Sequence, residues 1–171
     1  MDEQAKAPTT RLFLALWPEP GVRRRLAEWR DAWAWPKGAA PVHADKLHLT
    51  LHFLGALPSE RLPELLDGFA VPFAPFRLDL TRAALWHNGI AVLEPDLTPP
   101  GLAALHLRLS EALAALGLQP EARRYRPHVT MARRASGATV PADRPPVSWE
   151  VRGYALVESR NGAYTVLRDY A

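Results

Sequence analysis

The tripeptide His48-Leu49-Thr50 returns as His128-Val129-Thr130, eighty residues further along a chain of 171. Both copies sit in alternating runs, His48-Leu49-Thr50-Leu51-His52-Phe53 and His128-Val129-Thr130-Met131-Ala132-Arg133, the period of a strand with one buried face. Successive strand side chains point to opposite sides. His48 and Thr50 therefore share one face with Leu49 and Leu51 behind them, and His128 and Thr130 share one with Val129 and Met131 behind. Two such strands so far apart in sequence predict a domain of two similar halves, with two imidazoles facing each other across a cleft.

Paired imidazoles have a definite chemical use. Histidine titrates near 6.5, so close to neutral pH one ring can take a proton from a nucleophile while the other gives one to a leaving group. Each threonine adds a hydroxyl that can donate to an anion between the strands. The set suits a phosphodiester. His48 and His52 also have the i, i+4 spacing of zinc-binding helices, but the apolar alternation favours a strand, and no Glu follows His48 as the helical zinc motif requires. A metal-independent site without a cofactor is predicted, with water as the nucleophile because no serine or cysteine stands beside the histidines with a third orienting group.

The alternation has a limit. Carried on strictly, it turns Phe53 and Arg133, each five residues past a motif histidine, into the core, where a guanidinium without a partner is costly. The strands are predicted to end, twist or bulge there.

The remaining chain reads as an α+β domain. A polar, mixed-charge tail over residues 1–10 precedes an apolar strand from Arg11 to Trp17. Val22, Leu26, Trp29 and Trp33 then recur at helical spacing, with Arg23, Arg24 and Arg25 on a solvated face, until Trp35-Pro36-Lys37-Gly38 closes the helix. Ser59 reads as the N-cap of a second helix carrying Leu62, Leu65, Leu66 and Phe69, with Pro63 tolerated in its first turn. Phe76, Leu78 and Leu80 alternate as a strand, and Asn88-Gly89 turns into a hairpin partner at Ile90 to Leu93. Leu102, Leu105, Leu109, Leu113 and Leu116 form a third helix ended by Gly117, with His106 directed to solvent. A Pro-rich loop from Val140 to Pro146 leads to closing strands at Val147 to Glu158 and Tyr164 to Leu167.

Composition narrows the setting. The chain has no cysteine, so disulfides, thiol nucleophiles and thiolate metal sites are excluded. Its apolar runs fall short of the roughly 18 residues of a membrane span, which predicts a cytoplasmic protein. Net charge is +3, yet 18 of the 21 basic residues are arginine, the side chain suited to bidentate phosphate contacts. Arg123, Arg124, Arg126, Arg133 and Arg134 flank His128 with no acid between Glu121 and Asp143, a cluster able to hold an RNA backbone. Tyr125 is a candidate for stacking on a base, Arg126 for RNA contact, and His52 for the rim of the cleft.

The two motifs, with Phe53-Leu54-Gly55 after one and Arg126-Pro127 before the other, resemble those of the 2H phosphoesterases, and most nearly the RNA 2',3'-cyclic phosphodiesterases once described as 2'-5' RNA ligases. The likeness extends to Arg11-Leu12-Phe13-Leu14-Ala15-Leu16, to Val157-Glu158-Ser159 and to Tyr164-Thr165-Val166-Leu167. It implies two pseudo-symmetric lobes within residues 11–171, each an antiparallel sheet backed by helices, with both motifs in the central cleft. It implies hydrolysis of a 2',3'-cyclic phosphate at an RNA end, or of a small cyclic nucleotide, to a 2'-phosphate by a monomer. His48 would be the general acid and His128 the general base, roles open to exchange in so symmetric a site. Thr50, Thr130 and Arg133 would bind phosphate, Phe53 would pack on the base, and Trp86 would serve packing. The same site run in reverse joins RNA ends without ATP. A third reading, an RNA binder without chemistry, sits poorly with the presence of both histidines and both threonines.

Overall fold

A computed structural model describes residues 7–171. β1 (Thr9–Leu16) begins two residues before the expected strand, so Thr9 and Thr10 of the expected tail pair with Pro58 and Leu57; residues 1–6 lie outside the described residues. α1 (Pro20–Asp31) follows. It stops short of Trp33, which reaches the core from the turn beyond, and an isolated bridge from Ala34 to Thr139 holds that turn. A two-residue strand, β2 (Ala40–Pro41), leads to the first motif strand, β3 (Leu49–Pro58).

Ser59 does not cap the next helix. Its hydroxyl shares a 2.7 Å hydrogen bond with that of Thr10, and a 3-10 turn over Ser59–Arg61 intervenes before α2 (Leu62–Gly68). Then come β4 (Phe76–Leu80), β5 (Arg82–Leu85), β6 (Ala91–Glu94) and α3 (Pro100–Ala115). Each of the three helices carries proline in its first turn, where the missing N–H breaks no helical bond. The second motif strand, β7 (Val129–Arg133), precedes β8 (Val147–Val151), β9 (Tyr154–Arg160) and β10 (Ala163–Tyr170).

Two sequence expectations fail here. The Asn88-Gly89 turn forms, with Gly89 at φ 81 and a Cβ there 2.9 Å from Ser136 Oγ. The strand it returns to, however, is β5 rather than β4. β5 is the run Arg-Ala-Ala-Leu, whose small residues give no alternating signal. β4 pairs instead with β8 in a separate two-stranded sheet. The expected strand from Val147 to Glu158 is likewise two strands in two sheets, parted at Gly153, where a Cβ would lie 2.2 Å from the Tyr170 carbonyl oxygen.

The large sheet has the order β10-β9-β1-β3-β7-β6-β5, with β2 also on β7, and every pairing is antiparallel. Its two halves meet at the single pair Leu49 and Val129. One face buries Leu12, Leu14, Leu16, Leu49, Leu51, Val129 and Met131 in a cluster with the leucines of α3 and with Val22, Leu26 and Trp29 of α1, at about 1.5–3 kcal/mol for each large side chain removed from water. The opposite face carries the cleft. Among the described residues no helix is long and apolar enough to cross a membrane.

Candidate active site

The join between the halves is also where the motifs meet. With Leu49 opposite Val129 in an antiparallel pair, His48 falls opposite Thr130 and Thr50 opposite His128, all on the face away from the core. The histidines are then diagonal neighbours, about 7–8 Å apart at the backbone. Both line one cavity of about 850 Å³, together with Thr50, Phe53, Thr130 and Arg133.

A bulge in each motif strand solves the problem of Phe53 and Arg133. Ala15 pairs with Thr50 and Leu14 with His52, leaving Leu51 unmatched; Val92 pairs with Thr130 and Ala91 with Ala132, leaving Met131 unmatched. An extra residue reverses the alternation beyond it. Leu51 and His52 are both buried, as are Met131 and Ala132, while Phe53 is 58% exposed and Arg133 is exposed at the cleft. The bulges occupy equivalent places, one residue past each threonine.

The same reversal sends His52 to the core side rather than the rim. Its Nε2–H donates to the His106 carbonyl at 3.0 Å, and its ring stacks on His106 at 4.1 Å. His106 in turn stacks on Tyr125 at 3.8 Å, so it is not the solvent-facing residue its place beside the leucine stripe suggests. Tyr125 donates its hydroxyl to the Thr50 carbonyl at 2.9 Å. That carbonyl adjoins the bulge, where the ladder is locally disrupted.

Each motif histidine is held alike at one nitrogen. Nδ1 of His48 lies 2.7 Å from the Lys46 carbonyl and Nδ1 of His128 lies 2.8 Å from that of Arg126. A carbonyl only accepts, so both Nδ1 atoms carry the proton and Nε2 is the atom that titrates. Nε2 of His48 is 2.9 Å from the Thr50 hydroxyl.

The surroundings differ. His48 lies against Phe13 at 4.8 Å, Tyr164 at 5.6 Å and Trp17 at 5.7 Å. Burial pushes its pKa down to about 4, helped by Arg23, His128 and Arg133, with the Lys46 hydrogen bond opposing. Burial also lowers His128, but here the Glu94 carboxylate works in the other direction. Glu94 is 3% exposed and pairs with Arg82 and, through two nitrogens, with Arg126. The Arg126 guanidinium lies 4.3 Å over Trp86, which leans on His128 at 4.6 Å.

Among the expected RNA contacts, then, Arg126 is tied to Glu94 and Tyr125 to Thr50. Both line a neighbouring pocket of about 370 Å³. Trp86 packs as expected, and what it packs on is a motif histidine. Arg23 departs from its expected solvated face by donating to the Ala44 and Leu47 carbonyls, at 2.6 and 3.1 Å, which fixes the loop that holds His48. Sequence reasoning missed Glu94 altogether; its only signal was an acid at the end of the apolar run Ile90 to Leu93.

The chain is similar to known proteins over most of its length. Residues 18–163 match the family described as the 2'-5' RNA ligase superfamily. The RNA 2',3'-cyclic phosphodiesterase of Thermus thermophilus is 35% identical, over 94% of this chain and 89% of its own length. That of Escherichia coli is 34% identical, over 86% of this chain and 83% of its own. The crystal structure of E. coli LigT complexed with 3'-AMP superposes with a TM-score of 0.80 at 30% identity, covering 95% of this chain and 97% of that one. With a family match over most of its length, relatives above 30% identity and the fold in common with these proteins, the chain belongs to the 2'-5' RNA ligase superfamily of 2H phosphoesterases.

Proposed function

We propose that this protein hydrolyses 2',3'-cyclic phosphate at RNA ends to a 2'-phosphate, with the cleft histidines as general acid and base. The observation that carries the reading is the rung at Leu49 and Val129, which sets two imidazoles diagonally on one face with a threonine beside each. One Nε2 accepts a proton from water as its oxygen forms a bond to phosphorus. The bond from phosphorus to the 3' oxygen breaks, and the other imidazolium gives that oxygen its proton. On the family pattern His48 is the acid and His128 the base. Thr50, Thr130 and Arg133 hold the non-bridging oxygens, where charge grows in the transition state, and Phe53 offers the base an exposed aromatic face.

With His48 down near 4 in the free protein, its action as the acid requires the negative charge of the substrate to favour the imidazolium, and the exchange of roles with His128, whose charged form Glu94 favours, stays open. The relatives named RNA 2',3'-cyclic phosphodiesterase support the substrate class. A single chain supplies both motifs, in keeping with a monomer.

The test is turnover of a nucleoside 2',3'-cyclic phosphate by His48→Ala and His128→Ala, with product position read by phosphorus NMR. Each variant is expected to lose about 100- to 10,000-fold in kcat, and the wild type to give a bell-shaped pH profile belonging to the pair. Near-full turnover by either variant would end the proposal.

A further inference from the structure

Three hollows run into one another on the His128 side of the molecule. The catalytic cleft opens between Phe53, Trp86 and His128 into the pocket of about 370 Å³. That pocket passes Arg124, Tyr125 and Arg126 into a third hollow of about 330 Å³, bordered by Arg82, Pro95 and Thr98.

The charges along this path are mostly positive and partly free. Glu121 lies 3.5 Å from Arg123, and the buried Glu94 is taken by Arg82 and Arg126. Asp96 stands at the far hollow. Arg124 is exposed and forms no ion pair with another described residue. Phe53, 58% exposed, supplies an aromatic plane at the first opening. A groove with a free guanidinium beyond an exposed aromatic plane suits single-stranded nucleic acid, whose phosphates follow the cations while its bases stack.

We propose that the RNA chain 5' of the cyclic phosphate leaves the cleft through this side pocket and runs past Arg124, which forms a subsite for the nucleotide next to the reacting end. The terminal nucleotide occupies the cleft, its 5' phosphate passes Arg123, and the next nucleotide reaches the Arg124 hollow. The proposal rests on the phosphodiesterase reading above. The opposite mouth of the cleft is the rival exit: there Lys46 lies 5.4 Å over Tyr164, but Arg11 is exposed and forms no ion pair with another described residue, so Arg11 is the control for that direction.

The test compares kcat/KM for RNAs of one, two, three and four nucleotides ending in 2',3'-cyclic phosphate, at about 50 and 200 mM salt. Wild type, Arg124→Ala and Arg11→Ala are measured in parallel. Wild type should gain about tenfold or more between one and three nucleotides, from base stacking and phosphate contact, and the salt slope should steepen by roughly 0.7 for each phosphate held. Arg124→Ala should lose most of that gain and one increment of slope, while Arg11→Ala keeps both. A flat length dependence in wild type, a gain that survives Arg124→Ala, or one abolished by Arg11→Ala instead would overturn the path. Turnover that is flat with length leaves the phosphodiesterase reading standing. Absence of turnover at every length removes both.

Discussion

The two motif histidines share a chemistry but not a setting. His48 rests on aromatic rings and near Arg23, which favour its neutral form, whereas His128 has a buried carboxylate behind Arg126. What fixes the threonine between them is a neutral hydrogen bond from Tyr125. Such a bond is worth roughly 0.5–1.5 kcal/mol. Tyr125→Phe keeps the stack on His106 but frees the Thr50 carbonyl, and is expected to lower kcat by about two- to tenfold with KM nearly unchanged, measured by steady-state kinetics. The histidines and threonines were legible because the same alternating pattern occurs twice. The hydrogen-bond partner of Tyr125 was not, since it lies 75 positions away, nor was the burial of His52, which depends on one unmatched leucine.

The motif strands are built to a common plan: histidine, apolar, threonine, bulged apolar, buried residue, exposed contact. Strict alternation would have placed the exposed contact in the core, and the cost of an unpaired guanidinium there was enough to foretell an irregularity, though not its form. The hairpin of β5 and β6 was harder to read, since Ala83 and Ala84 carry no period. It is tied to the loop before β7 by Glu94, whose side chain is 4% exposed between Arg82 and Arg126 at 57% and 59%. The imbalance predicts an order of stabilities. Removing both arginines strands a buried carboxylate and should cost several kcal/mol. Glu94→Gln leaves two guanidinia already half in water and should cost less. Urea unfolding of the two variants, with equal m-values, checks the ranking.

The assembled domain carries several histidines whose protonated forms it disfavours: burial lowers His48 and His106 to about 4, and lowers His52 and His128 as well. A histidine depressed on folding binds fewer protons in the native than in the unfolded state, so stability is full above the unfolded value near 6.5 and falls as pH drops towards about 4. Thermal unfolding should show Tm declining across that window, and inorganic phosphate should oppose the decline, by about 2.7 kcal/mol at one hundred times its Kd. A Tm indifferent to pH between 6.5 and 4 would contradict this. Because Leu49 and Val129 form the one ladder pair between the halves of the large sheet among the described residues, and a motif histidine immediately precedes each of them, the reacting pair is surveyed from one fixed benchmark. Phe13, Tyr164 and Trp86 lean on those rings and must stay in place, while surfaces that touch neither ring are free to be rebuilt in evolution, or by an engineer seeking a new substrate, without resetting the chemistry.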